Sequence, residues 1–327
     1  MLYDGGGSAK SSFVVSYLKK HDISQLDYIV ASHYDADHIS GLVGVLYNFP
    51  CSFFIGPDYE TDTEIYRSLQ NALSSAGIVV THPKQGDTYR LGREDGGVSF
   101  QFVTPDSLAV SPNNDNDYSI GVRLLYKDPN GKEESLIVCG DAGWTSETYM
   151  VFSDEEGIIT LDSDIYIASH HGSSNSSSVD FLRAVTPEYA IISCGLNNTY
   201  GHPSEETLTR LKDVGCKLYR TDKQGTIDGI CSEEGIFFAK SDTDDWCAGT
   251  DNSTYSDSQI QTESIQENDS NQMGEDITYV CNKKTGVFHW PYCRGVRQMK
   301  ESNKVYVRCS RSECINAGYK SCGICNP

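Results

Sequence analysis

Two histidines and two aspartates fall within six residues in Ala31-Ser-His-Tyr-Asp-Ala-Asp-His-Ile-Ser-Gly41, directly after the apolar run Tyr28-Ile-Val-Ala31. Imidazole nitrogen and carboxylate oxygen side by side suit a divalent ion such as Zn²⁺ or Mn²⁺. In an extended segment alternate residues point to opposite sides, so His33, Asp35, Asp37 and His38 cannot all close on one ion. Two ions sharing the cluster relieve this. Further donors stand in Cys139-Gly-Asp141 and in Ala168-Ser-His-His-Gly-Ser173, each at the end of an apolar run, with Asp141 placed to bridge the pair. Paired ions supply a nucleophile at neutral pH and stabilise both the attacking and the leaving oxygen, which is the chemistry of a hydrolase. A single His or Asp is most often surface polarity. It is the convergence of donors at three strand ends that argues for a site.

These strand ends need a scaffold. Leu26 to Ala31, Cys51 to Ile55 and Tyr189 to Cys194 read as strands buried on both faces. Ser11 to Lys20, Ile39 to Phe49, Thr61 to Ala76, Trp144 to Phe152, Val179 to Val185 and Ser204 to Val214 read as helices. Val98 to Val103, Tyr118 to Tyr126 and Ser135 to Cys139 follow one another as strands, and Thr226 to Lys240 reads as a closing hairpin. Alternation at both ends with consecutive strands between predicts two sheets sandwiched by helices. Asp27-Tyr-Ile-Val-Ala-Ser-His33 and Asp164-Ile-Tyr-Ile-Ala-Ser-His170 repeat one phrase, so two strands deliver histidines in the same way.

Composition divides the 327 residues unevenly. The net charge is −20, yet the last 51 residues hold nine bases against two acids, leaving 17 bases and 44 acids in the first 276. Only the tail is drawn to polyanions. Residues 241–276 are rich in Ser, Thr, Asp, Asn, Gln and Glu and read as a disordered polar linker between a body, 1–240, and a small domain, 277–327. No apolar run is long enough to span a bilayer and no signal peptide is evident, which leaves the compartment open. Cys51, Cys139, Cys194, Cys216, Cys231 and Cys247 are scattered and read as buried thiols, whereas six cysteines crowd into Cys281 to Cys325.

Ser32-His-Tyr-Asp-Ala-Asp-His-Ile-Ser-Gly41 resembles the signature of the metallo-β-lactamase fold superfamily, and most closely its ComEC branch, the hydrolase domain attached to the DNA-uptake channel of competent bacteria. The resemblance continues through Asn116 to Leu125, Cys139-Gly-Asp141, Ser169-His-His-Gly-Ser173, Ser193-Cys-Gly-Leu-Asn-Asn-Thr-Tyr-Gly-His-Pro203 and Tyr219-Arg-Thr-Asp-Lys-Gln-Gly-Thr-Ile227. It implies an αββα sandwich with His33, Asp35, Asp37, His38, Asp141 and His170 as metal ligands. It further implies that Asp37 orients the attacking water, that Asp4 supports the ligand loop, and that His171 and His202 donate a proton or contact phosphate. Asp35 stands where many relatives have histidine, which moves the site toward harder ligands and makes Mn²⁺ as credible as Zn²⁺. His82, followed by Pro83, reads as a turn residue. Family members also carry an N-terminal hairpin ahead of Leu2, about 20 residues by usual strand lengths, which this sequence does not contain.

In the tail, His289-x₃-Cys293 and Cys322-x₂-Cys325 form a four-ligand set of the kind that holds structural zinc, with a disulfide framework as the alternative. The segment resembles the metal-binding domain of the Ada DNA-repair protein. That family has its methyl-accepting cysteine where this chain has His289, so methyl transfer is not expected. Cys281, Cys309 and Cys314 are left over. The expected function is a binuclear phosphodiesterase acting on single-stranded DNA, tethered by a basic zinc module. The alternatives are a hydrolase of small phosphodiesters, lactones or cell-wall phosphoesters, and a nucleic-acid-binding protein with an inactive body. Oligomeric state is left open, and the tail would equally serve as a zinc knob with a protein partner or none.

Overall fold

In the computed structural model, which describes residues 1–91, 97–111, 114–249, 277–289, 293–297, 299–309 and 311–322, the chain forms two compact units, within Met1–Tyr255 and Ser256–Pro327. The first begins with β1 (Leu2–Tyr3), α1 (Ser11–Lys20), β2 (Leu26–Val30), α2 (Ala36–Asn48), β3 (Cys51–Ile55), α3 (Glu64–Ala76) and β4 (Val80–Thr81). These strands make a parallel sheet in the order β1-β2-β3-β4. Ile29 and Val30 of β2 are both fully buried, and because neighbouring side chains leave a strand on opposite faces, both faces must be covered. On Ile29's side lie Leu42 and Val45 of α2 and Leu69 and Leu73 of α3. On Val30's side lies the second sheet.

That sheet contains β5 (Thr88–Leu91), β6 (Gly97–Thr104), β7 (Gly121–Lys127), β8 (Glu133–Val138), β9 (Ile165–Ile167), β10 (Tyr189–Ile192) and β11 (Lys217–Arg220), in the order β11-β10-β9-β8-β7-β6-β5. It is antiparallel from β5 to β8 and parallel from β8 to β11. Phe100, Phe102 and Val122 meet Val30 and Ile55 between the sheets. Met150 of α4 (Trp144–Glu155), Phe181 and Leu182 of α5 (Val179–Val185), and Leu208 and Leu211 of α6 (Glu205–Asp213) cover the outer face. The layers are therefore helix, sheet, sheet, helix, the αββα sandwich expected. A short α7 (Thr221–Gln224) and the hairpin β12 (Gly229–Ser232) and β13 (Gly235–Phe238) complete this unit.

Four local readings differ. α2 starts at Ala36 rather than Ile39, so Asp37 and His38 lie in a first helical turn and not in an extended segment. β5 was not anticipated, because Thr88-Tyr-Arg-Leu91 is a short edge strand with little apolar content. Residues 241–249, read as linker, are bonded to the body: the Arg220 guanidinium is fully buried and takes the carbonyls of Asp245 and Cys247 as acceptors, and Trp246 packs on the core. A buried guanidinium must find acceptors, and this strap supplies them. Residues 250–276 lie outside the described residues. Of the six scattered cysteines only Cys139 and Cys216 are buried, since strand edges and loops leave the others partly open.

The second unit is a four-stranded sheet, β16-β14-β15-β17, built from β14 (Ile277–Asn282), β15 (Val287–His289), β16 (Lys304–Cys309) and β17 (Lys320–Ser321), with short helices α8 (Arg294–Arg297) and α9 (Arg311–Asn316). Phe288 pairs with Ser321, which brings the next residues, His289 and Cys322, side by side.

Candidate metal centre and its cleft

The body's site is assembled from behind. Asp4, in the loop after β1, accepts the Ser32 backbone N–H (2.8 Å), the Ser32 hydroxyl (2.8 Å) and the His38 Nδ1–H (2.8 Å). Carboxylate can only accept, so His38 carries its proton on Nδ1 and turns Nε2 toward Asp141 and Asp37. Ser32 has spent its single proton on Asp4, so His33 Nδ1, 3.0 Å from its oxygen, must be the donor there and Nε2 is again left free. His171 repeats the pattern, with Nδ1–H donating to the Ser193 carbonyl at 2.7 Å. Histidines that ligate metal are held in this way, through the nitrogen that does not face the ion.

Two glycines allow the elements to approach. A Cβ on Gly41 would lie 1.9 Å from the Gly5 oxygen, so only glycine lets α2 dock against the Asp4 loop. Gly140 has φ +53° and faces Ser32, which brings Asp141 from the end of β8 beside the histidines.

The free atoms converge. His38 Nε2 is 3.3 Å from Asp141 Oδ1 and 3.9 Å from Asp37 Oδ2; His171 Nε2 is 3.5 Å from Asp37 Oδ2 and 3.7 Å from Asp141 Oδ1. His33, His38 and Asp141 form one triad whose donor atoms lie within 4.8 Å of one another; Asp37, His38 and His171 form a second. His33 Nε2, His38 Nε2, His171 Nε2 and Asp141 Oδ1 are buried without a hydrogen-bond partner. Leaving four buried polar atoms unsatisfied is costly unless something fills the space between them. Their separations and chemistry fit divalent ions bound by nitrogen and oxygen.

Charge in the cluster follows. The His171 ring, with Nε2 3.5 Å from Asp37 Oδ2, holds the Asp37 carboxyl down at about 2, with His38 adding to the effect. Burial works against ionisation of Asp141, but His38 outweighs it and keeps the carboxyl far below the usual range. Burial likewise opposes protonation of His38, and Asp4 and Asp141 overcome it, so His38 is raised. Burial lowers His170 and His202, keeping both neutral.

The predicted residues therefore do not all gather alike. His33, Asp37, His38 and Asp141 come together. Sequence reasoning set His170 among the ligands and His171 outside; both reach Asp141, His170 Nε2 at 3.5 Å, but only His171 joins a triad. The chain passes through left-handed φ at both residues (51° and 56°), a turn that strand-end logic does not foresee. Asp35 lies 3.6 Å from His33 Nε2 with its side chain half exposed, outside both triads. His202 stands 5.8 Å from His170 and 6.5 Å from His171 between ring centroids, at the cleft wall. His82 bonds the Gly56 carbonyl and does not line the cleft. Ser32 and the Ser193 carbonyl were missed, since a hydroxyl and a backbone oxygen carry no motif of their own. The cleft encloses about 960 Å³, with Lys10, Phe13, Asn116, Leu196 and Tyr200 on its walls.

In the second unit His289, Cys293 and Cys322 lie within 4.8 Å of one another, with Cys293 Sγ 3.9 Å from Cys322 Sγ. Zinc–sulfur bonds of roughly 2.3 Å at a tetrahedral angle put two thiolates about 3.8 Å apart. His289 Nδ1 is buried and unpartnered, and Cys325 lies outside the described residues.

Comparison with known proteins finds a family match in each part of the chain. The family described as Metallo-beta-lactamase superfamily matches residues 1–105, and that described as Metal binding domain of Ada matches 261–327. Competence protein ComA of Neisseria gonorrhoeae is 30% identical over 72% of this chain and 30% of its own length. ComE operon protein 3 of Bacillus subtilis is 27% identical over 65% of this chain and 26% of its own. Recombination protein 2 of Haemophilus influenzae is 28% identical over 69% and 26%. The chain spans less than a third of the length of these curated relatives.

Proposed function

We propose that this metal-dependent hydrolase, whose chain carries a metallo-β-lactamase domain ahead of an Ada zinc-binding domain, is a phosphodiesterase that cleaves single-stranded DNA. The observation that carries the reading is the pair of triads sharing His38, whose buried unpartnered atoms converge where Asp37, Asp141 and His171 line one cleft. Two divalent ions, Zn²⁺ or Mn²⁺, held by His33, Asp37, His38, Asp141 and His171 with Asp35 and His170 at hand, would activate water and neutralise phosphate charge.

The chain's own groups do the remainder. Asp37 is ionised and is the exposed member of its triad, so it can orient the incoming water and accept its proton. Asp4, Ser32 and the Ser193 carbonyl fix the histidine tautomers so that no ring must turn during turnover. Neutral His202 at the wall can donate a ring N–H to a phosphoryl oxygen. The first 276 residues, at −27, repel polyanions away from the cleft, and the +7 tail, one zinc ion at its His–Cys cluster, serves as the nucleic-acid tether that raises local substrate concentration. The competence names of the relatives support DNA as the substrate class.

The test is cleavage of end-labelled single-stranded DNA by the metal-loaded full chain, beside a small phosphodiester and a lactone. Intact DNA with turnover of either small compound would sink the DNA reading in favour of the small-substrate alternative, which the acidity of the body favours.

A further inference from the structure

We infer that the cleft wall beside the histidine cluster is a stacking platform for one unpaired base, with Tyr200 as the face that the base covers. This rests on the phosphodiesterase reading and names the part of the strand that the site grips.

Tyr200 is 79% exposed, yet the loop that carries it is tightly built. Asn198 Nδ2 donates to the carbonyls of Gly195 (3.0 Å) and His202 (2.6 Å), and its Oδ1 accepts the N–H groups of Tyr200 (3.2 Å) and His202 (2.9 Å). The ring stacks on His202 at 5.6 Å and 21°, and His202 stacks on His171 at 6.5 Å and 28°. A ladder of flat rings thus runs from solvent to the Asp37–His38–His171 triad. A lone exposed hydrophobic residue means little, but Leu196, 67% exposed, lies on the same loop and Phe13, 54% exposed, on the same cleft. Lys10 is the one lysine or arginine among the described residues that line it, enough for a single phosphate. A duplex hides its base faces; a single strand offers them, and any base can stack. Phosphate at Lys10, scissile bond at the triads and base on Tyr200 would all lie along this one cleft.

The experiment measures kcat and KM of the full chain on an oligo-dT strand and on an abasic strand of equal length, so that the tail's attraction to phosphates cancels. Tyr200→Ala is expected to cut the preference for dT over the abasic strand about tenfold, through KM, as loss of one stacked base implies. Tyr200→Phe, which keeps the ring, should restore the parent's preference. An unchanged preference in Tyr200→Ala overturns the platform while DNA cleavage by the parent still upholds the nuclease. A parent that cleaves neither strand overturns both.

Discussion

The two candidate metal sites are built on opposite plans. In the body each of three histidines is fixed through its rear nitrogen, His38 by Asp4, His33 by Ser32 and His171 by the Ser193 carbonyl, on elements packed into two large cores. In the second unit the buried, unpartnered nitrogen of His289 is Nδ1, on the side of Cys293, and the cores beside the cluster are a handful of residues around Val280 and Tyr279. On the proposed reading, protein holds the first site ready for metal, and metal would hold the second together. The donors agree, since nitrogen and oxygen facing an open cleft suit exchangeable chemistry, whereas sulfur in a closed cluster suits permanence.

The largest effect that could break this contrast is metal removal. A strong chelator applied to the full chain should unfold the second unit, because structural zinc contributes about 10–16 kcal/mol to such modules, while the body keeps its fold. Amide-exchange protection, read separately over 277–322 and 1–249, is the measurement. Protection lost in both regions together would show that the body too is organised by its ions. Next comes Asp141→Asn, which removes charge from the atom facing both His38 and His171. Loss of about 1000-fold in phosphodiester turnover is expected, the equivalent of ~4 kcal/mol of lost charge stabilisation. The body should lose bound metal by mass spectrometry and retain its melting temperature.

The contrast also explains what the sequence disclosed. His33, Asp35, Asp37 and His38 announce themselves because four donor side chains in six residues have no packing use, and the buried strands behind them read from unbroken apolar runs. What orients them did not read, because the Ser193 carbonyl is backbone and the left-handed φ at His170 and His171 belongs to a turn whose next residue, Gly172, lies close against the distant Pro203. The strap at 241–249 looked like linker since its side chains are mostly polar; its reason lies in Arg220, more than twenty residues earlier and buried by tertiary packing. The cysteines of the tail were legible as a cluster, yet it took the pairing of Phe288 with Ser321 to set His289 against Cys322.

Asp4→Ala sharpens the contrast at a smaller scale. It frees His38 Nδ1 and the Ser32 hydroxyl together, and loss of such a rear partner typically weakens metal binding or activity about 10- to 100-fold. Titration of the body with Mn²⁺, followed by activity on a phosphodiester, reads it. Unchanged affinity would mean that packing alone orients the ring.

The smallest effect concerns the loop behind the histidines. Glu147 is fully buried and accepts the backbone N–H groups of Ser177 and Ser178, while Arg210 takes the carbonyls of Ser174, Ser176 and Ser177, so the segment after His171 is clamped from two sides. Burial pushes Glu147 up to about 7, against the lowering pull of those N–H groups and of Arg210. An acid whose pKa is raised in the fold favours the folded state when protonated. Its contribution is therefore complete below about 4.5 and is lost as pH rises through about 7. Glu147→Gln cannot titrate, so the stability of the parent relative to this variant should fall by roughly 1–3 kcal/mol between pH 4.5 and 8. Denaturant melts of the metal-free chain, followed by a probe in the body, would show it. A pH-independent difference would mean that the bonds from Ser177 and Ser178 already keep Glu147 ionised, in which case the clamp is charged at neutral pH and stronger than burial alone allows.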